Sequence, residues 1–273
     1  MNDLKTEVKL MSLHQKKTLG QNFIYDENIL AKIASTQESG SVCLEIGVGP
    51  GGLTKQLAKV CRKVVGIEID HKFESLYNEV FDEDNIEIMF EDFMKADLNV
   101  LYKEHISEPF GVCANLPYYI TTPILFKLLD SNLPINNISV LVQKEVAERI
   151  TALPGNKRYG VLSVMTQCRG EVKKLFDLQP GVFSPPPNVI SSLVQIKLSG
   201  NKIDSDINDF RRCVKSAFAS RRKQIKGNIA ANYNVSKEQA ANILSTISIK
   251  ETARAEELSI SDFDNLTKEL KEL

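Results

Sequence analysis

The string Asn115-Leu116-Pro117-Tyr118 holds the residue types that an exocyclic amine needs around it. The nitrogen of such an amine is a poor nucleophile, because its lone pair is delocalised into the attached ring. Two acceptors, the Asn115 side-chain oxygen and the Leu116 carbonyl, can hold its two hydrogens and favour an sp3-like nitrogen. Pro117 stiffens the turn that aims the carbonyl. Tyr118 offers a face on which a base can stack. Such a site stabilises a transition state and needs no nucleophile from the protein.

A second string is Glu45-Ile46-Gly47-Val48-Gly49-Pro50-Gly51-Gly52. It satisfies G-x-G-x-x-G through Gly47, Gly49 and Gly52, and E-x-G-x-G-x-G through Glu45, Gly47, Gly49 and Gly51. Glycines there allow a tight turn and a close approach of ligand to backbone. About 20 residues on, Glu68, with Ile69 beside it, offers a carboxylate to both hydroxyls of a ribose. Further along, Glu91-Asp92-Phe93 offers an acceptor for an adenine amino group and an aromatic beside the ring. A dinucleotide and S-adenosylmethionine share these needs, so these residues alone leave both open.

The elements that must position these strings are legible in the apolar pattern. Strand-length apolar runs at 41–46, 63–70, 86–90 and 111–114 each lead into one of the strings, and a fifth lies at 138–142. Helical spacing covers 53–60, 71–80, 122–130 and 144–150, with Pro123 suited to a first turn. Asp26 is the expected N-cap of a short helix with apolar residues at 29, 30, 33 and 34. Strands alternating with helices predict βαβ units, hence an α/β fold of Rossmann-like type, a parallel sheet with helices on both faces and right-handed connections. After a helix at 160–168, strands at 171–176 and 189–198 are expected to pair as an antiparallel edge. Beyond residue 200 only helices are expected, at 206–219, 222–232, 236–246 and 261–271. The predicted domains are therefore 1–199 and a helical 200–273.

The helical part opens on a basic run. Residues 211–226 hold seven Lys or Arg and no acid. Arg211, Lys215, Arg221, Arg222, Lys223 and Lys226 are candidate phosphate contacts, with Phe218 among them. Lys16-Lys17 and Lys157-Arg158 are weaker extensions of such a surface. Residues 68–92 hold ten acids and one Lys, so the net charge of -1 is a cancellation of segregated charge. The 273 residues suffice for a core without disulfide or metal staples. Five cysteines without a C-x-x-C pair, and three scattered His, argue for reduced thiols in the cytoplasm and against a zinc site. No apolar leader and no membrane-spanning run is present.

In their order along the chain these strings resemble those of the KsgA family, the ribosomal RNA small-subunit adenine N6-dimethyltransferases of class I. The resemblance also rests on Leu19-Gly20-Gln21-Asn22-Phe23, Gln143-Lys144-Glu145-Val146-Ala147, Tyr159-Gly160-Val161-Leu162-Ser163-Val164 and Phe183-Ser184-Pro185-Pro186-Pro187-Asn188-Val189. It runs from about Lys17 to the last helices. It implies S-adenosylmethionine as cofactor, with Asn22, Ile24 and Gly47 at its methionine end, Glu68 at the ribose and Asp92 at the adenine. Asn115 is implied between cofactor and target base, with Tyr118 and Phe183 sandwiching the adenine. The implied substrate is two adjacent adenosines in the 3′-terminal hairpin of 16S rRNA, in the 30S particle or its precursor. A monomer needing no metal and no membrane is the expected form. Two departures stand out: Ile24 replaces the family's usual Leu, and Tyr119 stands where the family commonly has Asn.

Three other functions compete with this one. An Erm-type large-subunit methyltransferase shares the core motifs. A NAD-dependent oxidoreductase would use G-x-G-x-x-G but leave Asn115–Tyr118 unexplained. A non-catalytic 30S assembly factor would need only the basic surface.

Overall fold

The computed structural model describes residues 21–200, 202–220 and 223–271. In chain order the first part contains β1 (Phe23–Ile24), α1 (Glu27–Ala34), β2 (Val42–Ile46), α2 (Gly52–Val60), β3 (Lys63–Glu68), α3 (Glu74–Val80), β4 (Ile86–Phe90), α4 (Leu98–Leu101), β5 (Phe110–Asn115), α5 (Thr121–Asp130) and β6 (Ile135–Gln143). There follow α6 (Lys144–Ile150), α7 (Val161–Gln167), β7 (Gly170–Leu178), β8 (Phe183–Ser184) and β9 (Ser191–Leu198). The helices α8 (Ile207–Ala217), α9 (Ile225–Tyr233), α10 (Lys237–Thr246) and α11 (Ile260–Lys271) complete the chain.

The large sheet has the order β4-β3-β2-β5-β6-β9-β7. Strands β4, β3, β2, β5 and β6 run parallel to one another. This is the expected α/β sheet. All five residues of β2 are buried, as are five of the six in β5. Burial on both faces is why these strands are largely apolar, Glu45 of β2 being the one charged residue in them. β9 is antiparallel to β6, as an added edge should be, but it lies inside β7, which is outermost. Asp26 caps α1 as expected, accepting from the Asn28 and Ile29 N–H groups at 2.9 and 3.2 Å.

The parallel register brings the chemistry to one edge. Ile46 of β2 lies opposite Ile67 of β3 and Ala114 of β5, and Glu68 lies opposite Phe90. The carboxyl ends of four strands are therefore level. The chain runs outward from β2 to β4 on one side and through β5 and β6 on the other. That reversal leaves a crevice above β2 and β5, where open α/β sheets bind ligands.

Two compact units emerge. One is 1–147 with 173–198, and the other is 148–172 with 199–273. The second unit thus combines two stretches of the chain, 148–172 and 199–273. Its own contacts explain this. Buried Tyr159 meets Phe218 edge-on at 6.1 Å, and Phe218 meets Phe263 at 5.8 Å. The Gly155 N–H donates to the Glu256 carbonyl at 2.7 Å. Among the described residues no helix is long and apolar enough to cross a membrane.

Candidate active site

A cavity opens in the first unit at the carboxyl edge of the sheet. It is lined by the segment 21–24, the glycine loop, Glu68 and Ile69, residues 91–94, and 115–120. Four separate strand ends and the N-terminal segment therefore build one site.

The glycine loop is pinned from both sides. The Gly49 N–H donates to Glu68 Oε2 at 2.8 Å, and the Tyr77 hydroxyl donates to the Gly49 carbonyl at 2.8 Å. Glu68 Oε1 accepts from the Ile69 and Asp70 N–H groups at 2.9 and 2.8 Å. Burial pushes the Glu68 carboxyl above its ordinary pKa, and these three N–H groups pull it part of the way back. Gly47 has a φ of +78°, and a side chain there would meet nothing within 4 Å. The open space next to that backbone is what a close-lying ligand requires. Gly51, also expected at the cofactor, does not line the cavity. Its φ is +87° and an added Cβ would stand 2.5 Å from the Phe81 ring, so packing and conformation demand the glycine.

Glu45 lies beneath the loop and is 1% exposed. Its Oε2 has no hydrogen-bond partner among the described residues. Burial pushes its carboxyl up to about 8, with the nearby Thr54 hydroxyl opposing and the charge of Glu68 adding to the rise. An unpartnered buried carboxyl oxygen on a cavity wall suits a cationic ligand group.

On the opposite wall, Asn115 Nδ2 donates to the Asn22 carbonyl at 2.9 Å. This settles which way the amide lies and leaves Oδ1 as an acceptor without a partner among the described residues. The Tyr118 hydroxyl shares a 2.7 Å hydrogen bond with Ser191 on β9, so its ring is held at both ends. Gln21 fastens the N-terminal segment by donating to Asp70 at 3.3 Å and accepting from Lys72 at 3.1 Å.

Asp92 caps its own loop through the Met94 N–H at 2.9 Å. The backbone of this loop is gathered by Lys127 of α5, whose Nζ donates to the carbonyls of Phe93, Met94 and Ala96 at 2.7, 3.0 and 2.7 Å. The same ammonium stands 5.2 Å from the centre of the Phe93 ring. Phe93 is buried and helps line the cavity.

Phe183 is placed differently from the expectation that it faces Tyr118 across the pocket. It is 4% exposed, pairs with Ile24 through β8 and β1, and packs with Leu30, Leu178 and Leu193. It backs the cavity wall through Ile24 and does not line it. Sequence reasoning also missed Lys127, Tyr77 and Ser191. Each acts on a partner at least 28 residues away, and no local pattern marks such a pairing.

The expected phosphate contacts lie in the second unit. Lys215 and Lys223 are exposed and Arg211 is half-buried. Lys226 is paired with Glu251 at 2.9 Å. Arg221 and Arg222, like Lys16 and Lys17, fall outside the described residues.

With this geometry in view, the comparisons decide the family. Residues 12–272 match the family model described as ribosomal RNA adenine dimethylase. The chain belongs to that family. A relative from Caldanaerobacter subterraneus subsp. tengcongensis, named ribosomal RNA small subunit methyltransferase A, is 43% identical over 262 residues, 93% of this chain and 97% of its own. One of the same name from Bacillus mycoides is 40% identical over 280 residues, 98% of this chain and 96% of its own. Two solved structures share the fold: a dimethyladenosine transferase from Plasmodium falciparum, with a TM-score of 0.79, and the 23S rRNA methyltransferase ErmE, with a TM-score of 0.70. Each is 24% identical over 92% of this chain, and covers 98% and 100% of its own length.

The dimethylase is thus a methyltransferase, and the oxidoreductase alternative falls. The Erm-type alternative is not favoured, because the relatives at 40–43% identity are named for the small subunit.

Proposed function

We propose that this dimethylase transfers methyl groups from S-adenosylmethionine to N6 of two adjacent adenosines in the 3′-terminal hairpin of 16S rRNA. The acceptor is the 30S particle or its precursor, in the cytoplasm. The observation that carries the reading is the Asn115 amide, clamped by the Asn22 carbonyl so that its oxygen is left to receive an amine hydrogen. The level strand ends, the open space beside Gly47 and the unpartnered Glu45 oxygen suit a cationic nucleoside cofactor.

S-adenosylmethionine, when bound, supplies an electrophilic methyl group on a positively charged sulfur. Glu68 is assigned to the ribose, Asp92 and Phe93 to the adenine, and Gly47 with Asn22 and Ile24 to the methionine end. Asn115 Oδ1 and the Leu116 carbonyl accept the two N6 hydrogens and steer the nitrogen lone pair toward the methyl donor. Tyr118 supplies a face for the adenine turned out of its stack. Phe183 completes a sandwich only by leaving the packing it has here. The cations of the second unit, Arg211, Lys215, Arg221, Arg222, Lys223 and Lys226, are assigned to rRNA phosphates. The proton lost from N6 passes to water, and no metal or protein nucleophile is invoked.

Labelled methyl transfer to unmethylated 30S and 50S particles, with mapping of the modified nucleotides, tests this. Label on two adjacent adenosines near the 3′ end of 16S rRNA is expected. Label on 50S alone, or on neither particle, overturns the reading.

A pH effect follows from Glu45. Its carboxyl, pushed up to about 8, is protonated in the free protein at pH 6. A cation arriving beside it favours the carboxylate, so binding expels a proton and affinity rises as pH increases from 5 to 7. Calorimetry at pH 6 in two buffers of different ionisation heat should show close to one proton released on binding S-adenosylmethionine. Glu45→Gln should abolish the release. Equal heats in both buffers for the unmodified protein would show that Glu45 does not meet the cationic group.

A further inference from the structure

At the rim of the cavity, residues 117–120 close as a β-turn. The Ile120 N–H donates to the Pro117 carbonyl at 3.2 Å, and the Thr121 hydroxyl donates to the same oxygen at 3.2 Å. The two central residues of this turn are Tyr118 and Tyr119. They are used in opposite ways. Tyr118 is tied to Ser191, whereas Tyr119 is 63% exposed and is the one exposed Tyr or Phe among the described residues. Tyr119 nonetheless lines the same cavity as Asn115 and Tyr118. It has no hydrogen bond, ion pair or ring contact with any described residue. A doubly fastened turn thus presents a bare aromatic face to solvent, one residue from the ring assigned to the target base.

We propose that Tyr119 is the stacking platform for the base next to the target adenosine. The inference rests on the proposed function. A nucleotide turned out of its strand leaves its neighbour without a stacking partner on one side. That neighbour stays at the mouth of the cavity while its partner enters, and the mouth is where Tyr119 stands. Every base has a face that an aromatic ring can cover, so the contact works with either neighbour in the strand. The chain therefore carries a second base-binding position that acts on RNA affinity and not on the methyl donor.

The test uses the full chain with unmethylated 30S particles. Tyr119→Ala and Tyr119→Asn should raise the KM for 30S about tenfold, the order expected for one stacked base. The dissociation constant for S-adenosylmethionine should be unchanged, which also reports that the variants fold. Tyr119→Phe and Tyr119→Trp should stay within about twofold of the unmodified protein, and Tyr119→Leu should resemble Ala. A KM unchanged in Tyr119→Ala overturns the proposal. So does full rescue by Leu, which would mark an unspecific apolar contact, or failure of Phe, which would mark a hydroxyl hydrogen bond. If the unmodified protein does not methylate 30S at all, the proposed function fails first and the platform falls with it.

Discussion

Asn115→Ala is expected to lower kcat for methyl transfer to 30S about 10²–10³-fold, the loss typical of removing one positioned group that stabilises a transition state. The alanine removes the acceptor for an N6 hydrogen and also the donor that grips the Asn22 carbonyl at 2.9 Å. The N-terminal segment remains fastened by Gln21 to Asp70 and Lys72, so cofactor affinity should change far less than kcat. Asn115→Asp separates the two functions of the amide. It keeps an acceptor oxygen but sets a carboxylate against the Asn22 carbonyl, so its orientation is lost. It should therefore also fall at least tenfold. Single-turnover transfer of labelled methyl measures both variants. Near-normal transfer by Asn115→Ala would remove Asn115 from the mechanism.

Glu68→Gln is the second large effect, and it should appear in binding and stability rather than in kcat. Both oxygens of Glu68 accept backbone N–H groups, Oε2 from Gly49 and Oε1 from Ile69 and Asp70. A glutamine has one oxygen, so in either orientation its NH2 confronts an N–H donor. The residue is 4% exposed, so water can relieve little of the conflict. Leaving a buried donor unpaired costs about 1–3 kcal/mol. Thermal unfolding should show a Tm lower by several degrees, and calorimetry should show cofactor binding weakened at least tenfold. A Gln variant that binds S-adenosylmethionine within twofold of the unmodified chain would show that the ribose does not depend on this carboxylate.

The parallel sheet was legible because of where its strands sit. β2 and β5 are buried on both faces, so they read as largely apolar runs, broken in β2 only by Glu45, that stop at Gly47 and at Asn115. The chemistry-bearing strings stand at strand ends, and register alone brings them together. Short or distant pairings left no trace. β1 and β8 have two residues each, too few to show a period, yet their pairing buries Phe183 behind Ile24. The four-residue α4 was not expected either. It rests on the Asp97 cap, which accepts from Asn99 and Val100 at 2.8 and 3.3 Å. Residues 148–172 look like a continuation of the sheet domain, because their local pattern says nothing of the Phe218 and Glu256 contacts that claim them.

Lys127 acts as a strut. Its ammonium holds three carbonyls of the loop that follows Asp92, and its backbone belongs to α5, which begins at Thr121 directly after the Pro117–Ile120 turn. The 91–94 loop and the turn bearing Tyr118 and Tyr119 are thereby joined through α5 as well as through the sheet. The loop and the turn cannot shift independently while these three hydrogen bonds hold.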